Sequence, residues 1–153
     1  MRSGAKGVRM IEGLFDSGAL PVLERTLQFT EARHRVLAHD VANASTPYFK
    51  PLDLSPASFQ QALRQAIDNR RRGSDATAGK LDMPDTDQLR FTPHGLVADP
   101  TRSNEGILFH DQNNRDMERL MQHVAENTLA FRVNIEFLRG EMNTLQTAIR
   151  ERI

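Results

Sequence analysis

The 153-residue chain contains no cysteine, so neither a disulfide framework nor a thiolate metal site is available to it. It also lacks net charge, with twenty Lys and Arg balanced by twenty Asp and Glu. A dedicated nucleic-acid binder carries a basic excess, so that class is set aside. No apolar run approaches the length of a membrane-spanning helix. Tryptophan is absent, tyrosine occurs once, and the mean hydropathy is −0.53. Such a chain can bury only a modest core. Catalytic signatures are missing as well: there is no His-Glu-x-x-His, no Gly-x-Ser-x-Gly elbow and no glycine-rich phosphate loop. His34 and His39 are five residues apart and share no helical face, which makes them a poor metal pair. We therefore expect no enzyme, metal, cofactor or small-molecule substrate.

What the sequence does contain is helical periodicity at both ends. Leu20, Leu23, Leu27, Thr30, His34, Leu37, Val41 and Ala44 alternate spacings of three and four, the pattern of a heptad seam. Asp16 or Ser17 can cap this helix, and Pro21 is tolerated in its first turn. Glu24, Arg25, Gln28, Glu31, Arg33 and Arg35 fall at positions read as outward-facing. Pro47 pushes the preceding residue out of the α region, so the helix is predicted over 19–45. Thr30 and His34 are expected as polar knobs that fix register.

The C-terminal signal is longer. Met117, Met121, Val124, Thr128, Phe131, Ile135, Leu138, Met142, Leu145 and Ile149 keep the four–three alternation over 33 residues. Asn113 or Asn114 can cap the helix, Asp116 and Glu118 suit its N-terminal dipole, and Arg150 and Arg152 suit its C-terminal one. A second apolar edge, Leu120, Leu129 and Phe137, offers room for a further partner. Between the two ends, Ser55-Pro56 caps a short helix whose Phe59, Leu63, Ala66 and Ile67 share a face. Arg70-Arg71-Arg72 is the only basic run and is expected in solvent. Residues 68–106 are weakly apolar, which predicts a long, partly disordered loop with brief extended pieces near Leu89–Phe91 or Ile107–Phe109.

The expected organisation is thus a flexible leader (1–18), a helix–turn–helix unit (19–67), a polar loop (68–112) and a C-terminal helix (113–153). Together they make one elongated all-α domain with coiled-coil-like terminal helices. Two long seams at the sequence extremes, separated by about seventy residues, suit assembly surfaces better than a simple bundle with short connections.

The segment Val36–Lys50 reads VLAHDVANASTPYFK. It combines a helix C-terminus, an Asn that tolerates left-handed backbone, and a Thr-Pro turn leading to two aromatics and a Lys. This resembles the N-terminal hallmark of the flagellar rod and hook axial proteins, an apolar helix ending in Asn-x-x-Thr-Pro-Gly-Tyr-Lys. Asn43, Thr46, Pro47 and Lys50 match, while Tyr48 stands for the usual Gly and Phe49 for the usual Tyr. Asp53-Leu54 and Phe59–Leu63 are similar to the stretch that follows in the proximal-rod member. Asp111–Asn114 is similar to the family's Asp-Gly-Asn-Asn entry into the last helix, with Met121, Asn127 and Phe131 in step. Gln112, Arg115 and Leu120 depart from the family pattern, and residues 69–105 are unmatched. A Tyr in place of Gly would be strained if the turn keeps its positive φ.

The resemblance implies a structural subunit of the proximal rod in the flagellar basal body, in the periplasm. It implies secretion through the flagellar export apparatus without a cleaved signal, the mobile N-terminal region serving instead, and folding on assembly. The implied partners are other rod subunits, copies of itself, the rod-base adaptor FliE and the MS ring. A rival from another class is a coiled-coil adaptor or export chaperone that binds a partner helix.

Overall fold

The computed structural model describes residues 18–73, 81–92, 95–102 and 117–151. It is mostly helical, with two small antiparallel sheets. The elements in order are α1 (Leu20–Asn43), β1 (Leu52–Asp53), α2 (Pro56–Arg72), β2 (Leu89–Thr92), β3 (Gly95–Ala98), β4 (Thr101–Arg102) and α3 (Met117–Arg150). No described helix is long and apolar enough to cross a membrane.

Helix α1 starts at Leu20 with Pro21 in its first turn, where the ring displaces no intrahelical donor. Ala19 holds the N-cap position without a side-chain bond. Asp16 and Ser17, the expected caps, lie outside the described residues, as do Asn113, Asn114 and Asp116 before α3. Helix α2 starts as its sequence indicates. The Ser55 hydroxyl accepts from the Ser58 N–H at 3.2 Å and Pro56 fills the first helical position. It then continues past Ile67 to Arg72. Arg70 is not surrendered to solvent as expected, for its guanidinium donates to the Gly18 carbonyl at 3.0 Å and ties the end of α2 to the start of α1.

The core sits between α1, α2 and the residues that follow. Phe29 of α1 stacks on Phe59 of α2, with ring centroids 4.2 Å apart, and Phe91 tilts against Phe59 from β2. Leu54, Ala62, Ala66, Leu81, Met83 and Leu89 close around them. Here the structure departs from the expected loop. Residues 81–102 make no core of their own, yet three of their few apolar side chains complete the one under α1. The β2–β3 hairpin, paired from Leu89↔Ala98 to Thr92↔Gly95, holds Leu89 in place. The extended piece expected near Leu89–Phe91 is β2, whereas 107–109 lies outside the described residues. Gln88 fastens this layer, accepting from the Ser55 N–H and donating to the Asp53 carbonyl and the Thr101 hydroxyl.

Helix α3 packs along α1. Its direction follows from two contacts. Asn127 Nδ2 donates to the Thr30 carbonyl at 2.9 Å. One turn earlier, His123 approaches Asp53, which Arg33 holds one turn later on α1. The two helices are therefore antiparallel. At ~1.5 Å per residue, α1 spans about 36 Å and α3 about 51 Å. Counting outward from the Asn127–Thr30 contact, α3 draws level with Leu20 near Phe137, and its remaining turns run past the start of α1.

Candidate assembly surface

The heptad seam on α1 is half of what that helix buries. Leu20, Leu23, Thr30 and Leu37 are buried and Leu27 and Val41 half-buried, but His34 is exposed and is no knob in the seam. A second stripe, Val22, Phe29, Arg33, Val36 and Asp40, repeats at helical spacing and faces the Phe59 layer and β1. Its charge and its place off the heptad seam predict Arg33 on the outer face. It is instead buried, with its Nε and Nη2 bonded to the two oxygens of Asp53 at 2.9 and 2.7 Å. The planar fork meets the carboxylate in two parallel bonds, which satisfies a cation that burial would otherwise penalise. His123 Nδ1 lies 3.8 Å from the same carboxylate and adds an ion pair when the imidazole is protonated. Arg33, Asp53 and His123 thus join α1, β1 and α3 at one point.

Asp40 is the other buried acid, 1% exposed. Its Oδ2 accepts from the Leu52 N–H at 2.9 Å and draws the chain back after the turn. Burial raises its pKa above the ordinary carboxylate value, partly offset by that hydrogen bond and by His39 beside it.

Between Asn43 and Leu52 the hallmark segment forms a compact turn. The Asn43 side chain donates to the His39 carbonyl, the Thr46 N–H bonds the Asn43 carbonyl at 2.8 Å, and the Phe49 N–H bonds the Thr46 carbonyl at 3.2 Å. Pro47 and Tyr48 are the central pair, and Tyr48 has φ 62°, the position at which such a turn favours Gly. The turn has therefore kept its left-handed step despite the larger residue, at a cost of about 1–2 kcal/mol. Phe49 leans on His39, ring centroids 5.6 Å apart, while Tyr48 and Lys50 are exposed.

Helix α3 presents a different balance. Among its 34 residues only Asn127 is fully buried. Val124, Phe131, Ile135, Leu138, Met142 and Leu145 of the seam are half-buried, and Met117, Met121 and Ile149 are exposed. On the opposite face Leu129, Val133 and Phe137 stand 64%, 44% and 62% exposed at i, i+4, i+8 spacing. Leu120, expected on that second edge, lies seven residues before Asn127 and so on the packed side, where it is half-buried. Val133 takes its place in the outer stripe. No group of three or more acidic or histidine side chains among the described residues is arranged to hold a metal.

A helix hairpin joined by the Asn-x-x-Thr-Pro turn, with a long and under-buried last helix, can now be set beside known proteins. No family model matches the chain. The flagellar basal body rod protein FlgB of Escherichia coli is 30% identical over 138 residues, covering 84% of this chain and 94% of that protein. The chain belongs to the FlgB family. FlgB of Bacillus subtilis is 26% identical over 133 residues and that of Aquifex aeolicus 27% over 136, each alignment covering at least 84% of this chain and 90% of the relative. Like other FlgB proteins it is a flagellar basal body rod protein, a structural component of that assembly and not an enzyme. The FlgB alignments cover more than four-fifths of the chain, and so extend beyond the terminal motifs that carry the resemblance.

Proposed function

We propose that this chain is a proximal-rod subunit that assembles by laying the outer face of α3 against neighbouring subunits around the rod axis, in coiled-coil-like packing. The observation that carries this reading is the exposed stripe Leu129–Val133–Phe137 behind a seam that α1 covers only in part. An apolar ridge of this kind is stabilised by removal from water, at about 25 cal/mol per Å². A second covering helix supplies that removal. The same incompleteness couples the tight packing of α3 to assembly, because that helix gains its full burial only among neighbours. The partners are other rod subunits and copies of this chain, with the adaptor FliE and the MS ring at the rod base. The chain reaches the periplasm through the flagellar export apparatus.

The test is deletion of the gene in its source organism and electron microscopy of purified basal bodies. Non-motile cells holding MS rings without rods, restored by the intact gene, are the expected result. Normal rods and swimming in the deletion strain would overturn the reading.

A further inference from the structure

Tyr48 is the sole tyrosine of the chain and the one described non-glycine residue with positive φ. Its side chain does not repay that conformation within its own subunit. It is 71% exposed, whereas the adjacent Phe49 ring rests on His39. The turn beneath it is held at several points: by the Thr46 and Phe49 N–H bonds, by Asp40 on the Leu52 N–H, and by Arg33 on Asp53. An aromatic ring is thus presented outward on a fixed base, which lowers the entropy lost on contact. Backbone strain that nothing inside the subunit requires concentrates where a side chain is used by something outside it.

The surroundings narrow what that something is. Lys50 is the only charged residue between Val41 and Leu52, and it is exposed. Because α3 runs antiparallel to α1, its first turns lie at the same end of the helix pair, and Met117 and Met121 are exposed there. A rigid tyrosine with an exposed lysine two residues on makes a surface suited to a protein pocket with a carboxylate at its rim. A lipid surface fits less well, since a single lysine contributes little membrane affinity.

We propose that Tyr48 anchors a contact with an adjacent subunit, its ring entering an apolar pocket there and Lys50 meeting a carboxylate beside it. This rests on the reading of the chain as a rod subunit. It is tested in a deletion strain whose swimming the intact gene restores, with p-benzoyl-phenylalanine installed in place of Tyr48 or, as a control, of the exposed Gln65 on α2. Irradiation followed by purification of basal bodies should give a covalent adduct with a rod subunit from position 48 and none from position 65. Tyr48→Gly, which suits the turn, should lower the amount of chain in basal bodies by about tenfold or more at limiting expression. Tyr48→Phe, which keeps the ring, should stay within about twofold of the parent. The proposal is overturned if the chain is present in basal bodies without a protein adduct, if the adduct is with lipid, or if the Gly variant incorporates as the parent does. Absence of the parent chain from basal bodies would instead overturn the rod reading, and this contact with it.

Discussion

Helices α1 and α3 carry apolar patterns of equal regularity, yet one is a core element and the other a surface. Helix α1 has two covered stripes, one under α3 and one over the Phe59 layer, and buries eight of its residues. Helix α3 is ten residues longer and buries one, an asparagine. Periodicity therefore reports that a helix has a face to hide, and not who hides it. On α1 the partners are in the same chain. On α3 the outer stripe has none among the described residues, and its inner seam is covered only in part.

The contrast breaks first in the core. Phe29→Ala on α1 should destabilise by about 3–5 kcal/mol, because it removes the ring stacked on Phe59 and leaves a cavity. Loss of helicity at lower urea concentration than the parent checks it. Next is Arg33→Ala, which strands the Asp53 carboxylate and parts the clamp between α1 and β1. A loss of about 3 kcal/mol is expected, and the double variant Arg33→Ala, Asp53→Ala should be less impaired than the sum of the two single changes. Asn127→Ala removes the one buried side chain of α3 and its bond to the Thr30 carbonyl, and should cost about 1–3 kcal/mol, read as loosened α3 by amide exchange.

Smaller effects sharpen the picture. Tyr48→Gly should stabilise the isolated subunit by about 1 kcal/mol through relief of the left-handed backbone, a rise in unfolding midpoint that contrasts with its expected loss in assembly. The smallest effect is that of Asp40. Its folded pKa is raised above the unfolded one, so its contribution favours the fold at pH below the ordinary carboxylate value. That contribution is lost as pH rises through the raised folded value. Asp40→Asn keeps an acceptor for the Leu52 N–H and should flatten this dependence. Unfolding midpoints measured from pH 4 to 7 would show it.

How much of this was legible beforehand depended on what kind of signal each residue carries. The long helices, the Ser55-Pro56 start and the Thr-Pro turn are written in local chemistry, and each stands where its residues indicate. Arg33 and Asp40 were not legible, because a charge in a helix reads as solvent-facing until its distant partners, Asp53 and the Leu52 N–H, are known. Their one trace was the spacing they share with Val22, Phe29 and Val36. Leu81, Met83 and Leu89 were hidden for a related reason. Three apolar side chains among polar neighbours cannot build a core, but they can finish one built elsewhere. His34 fits the heptad spacing yet stands exposed, since a heptad template cannot weigh two competing faces of one helix.

The most direct measurement concerns the outer face of α3. The variant Leu129→Asp, Phe137→Asp would be placed in the deletion strain and its chain purified alongside the parent. Both side chains are exposed in the subunit, so helicity and unfolding midpoint should match the parent within about 0.5 kcal/mol per site. In cells the two charges would be buried without partners at the subunit contact, and rods should be absent. Rods of normal length with normal swimming would contradict the account, for the outer stripe would then face no neighbour at all.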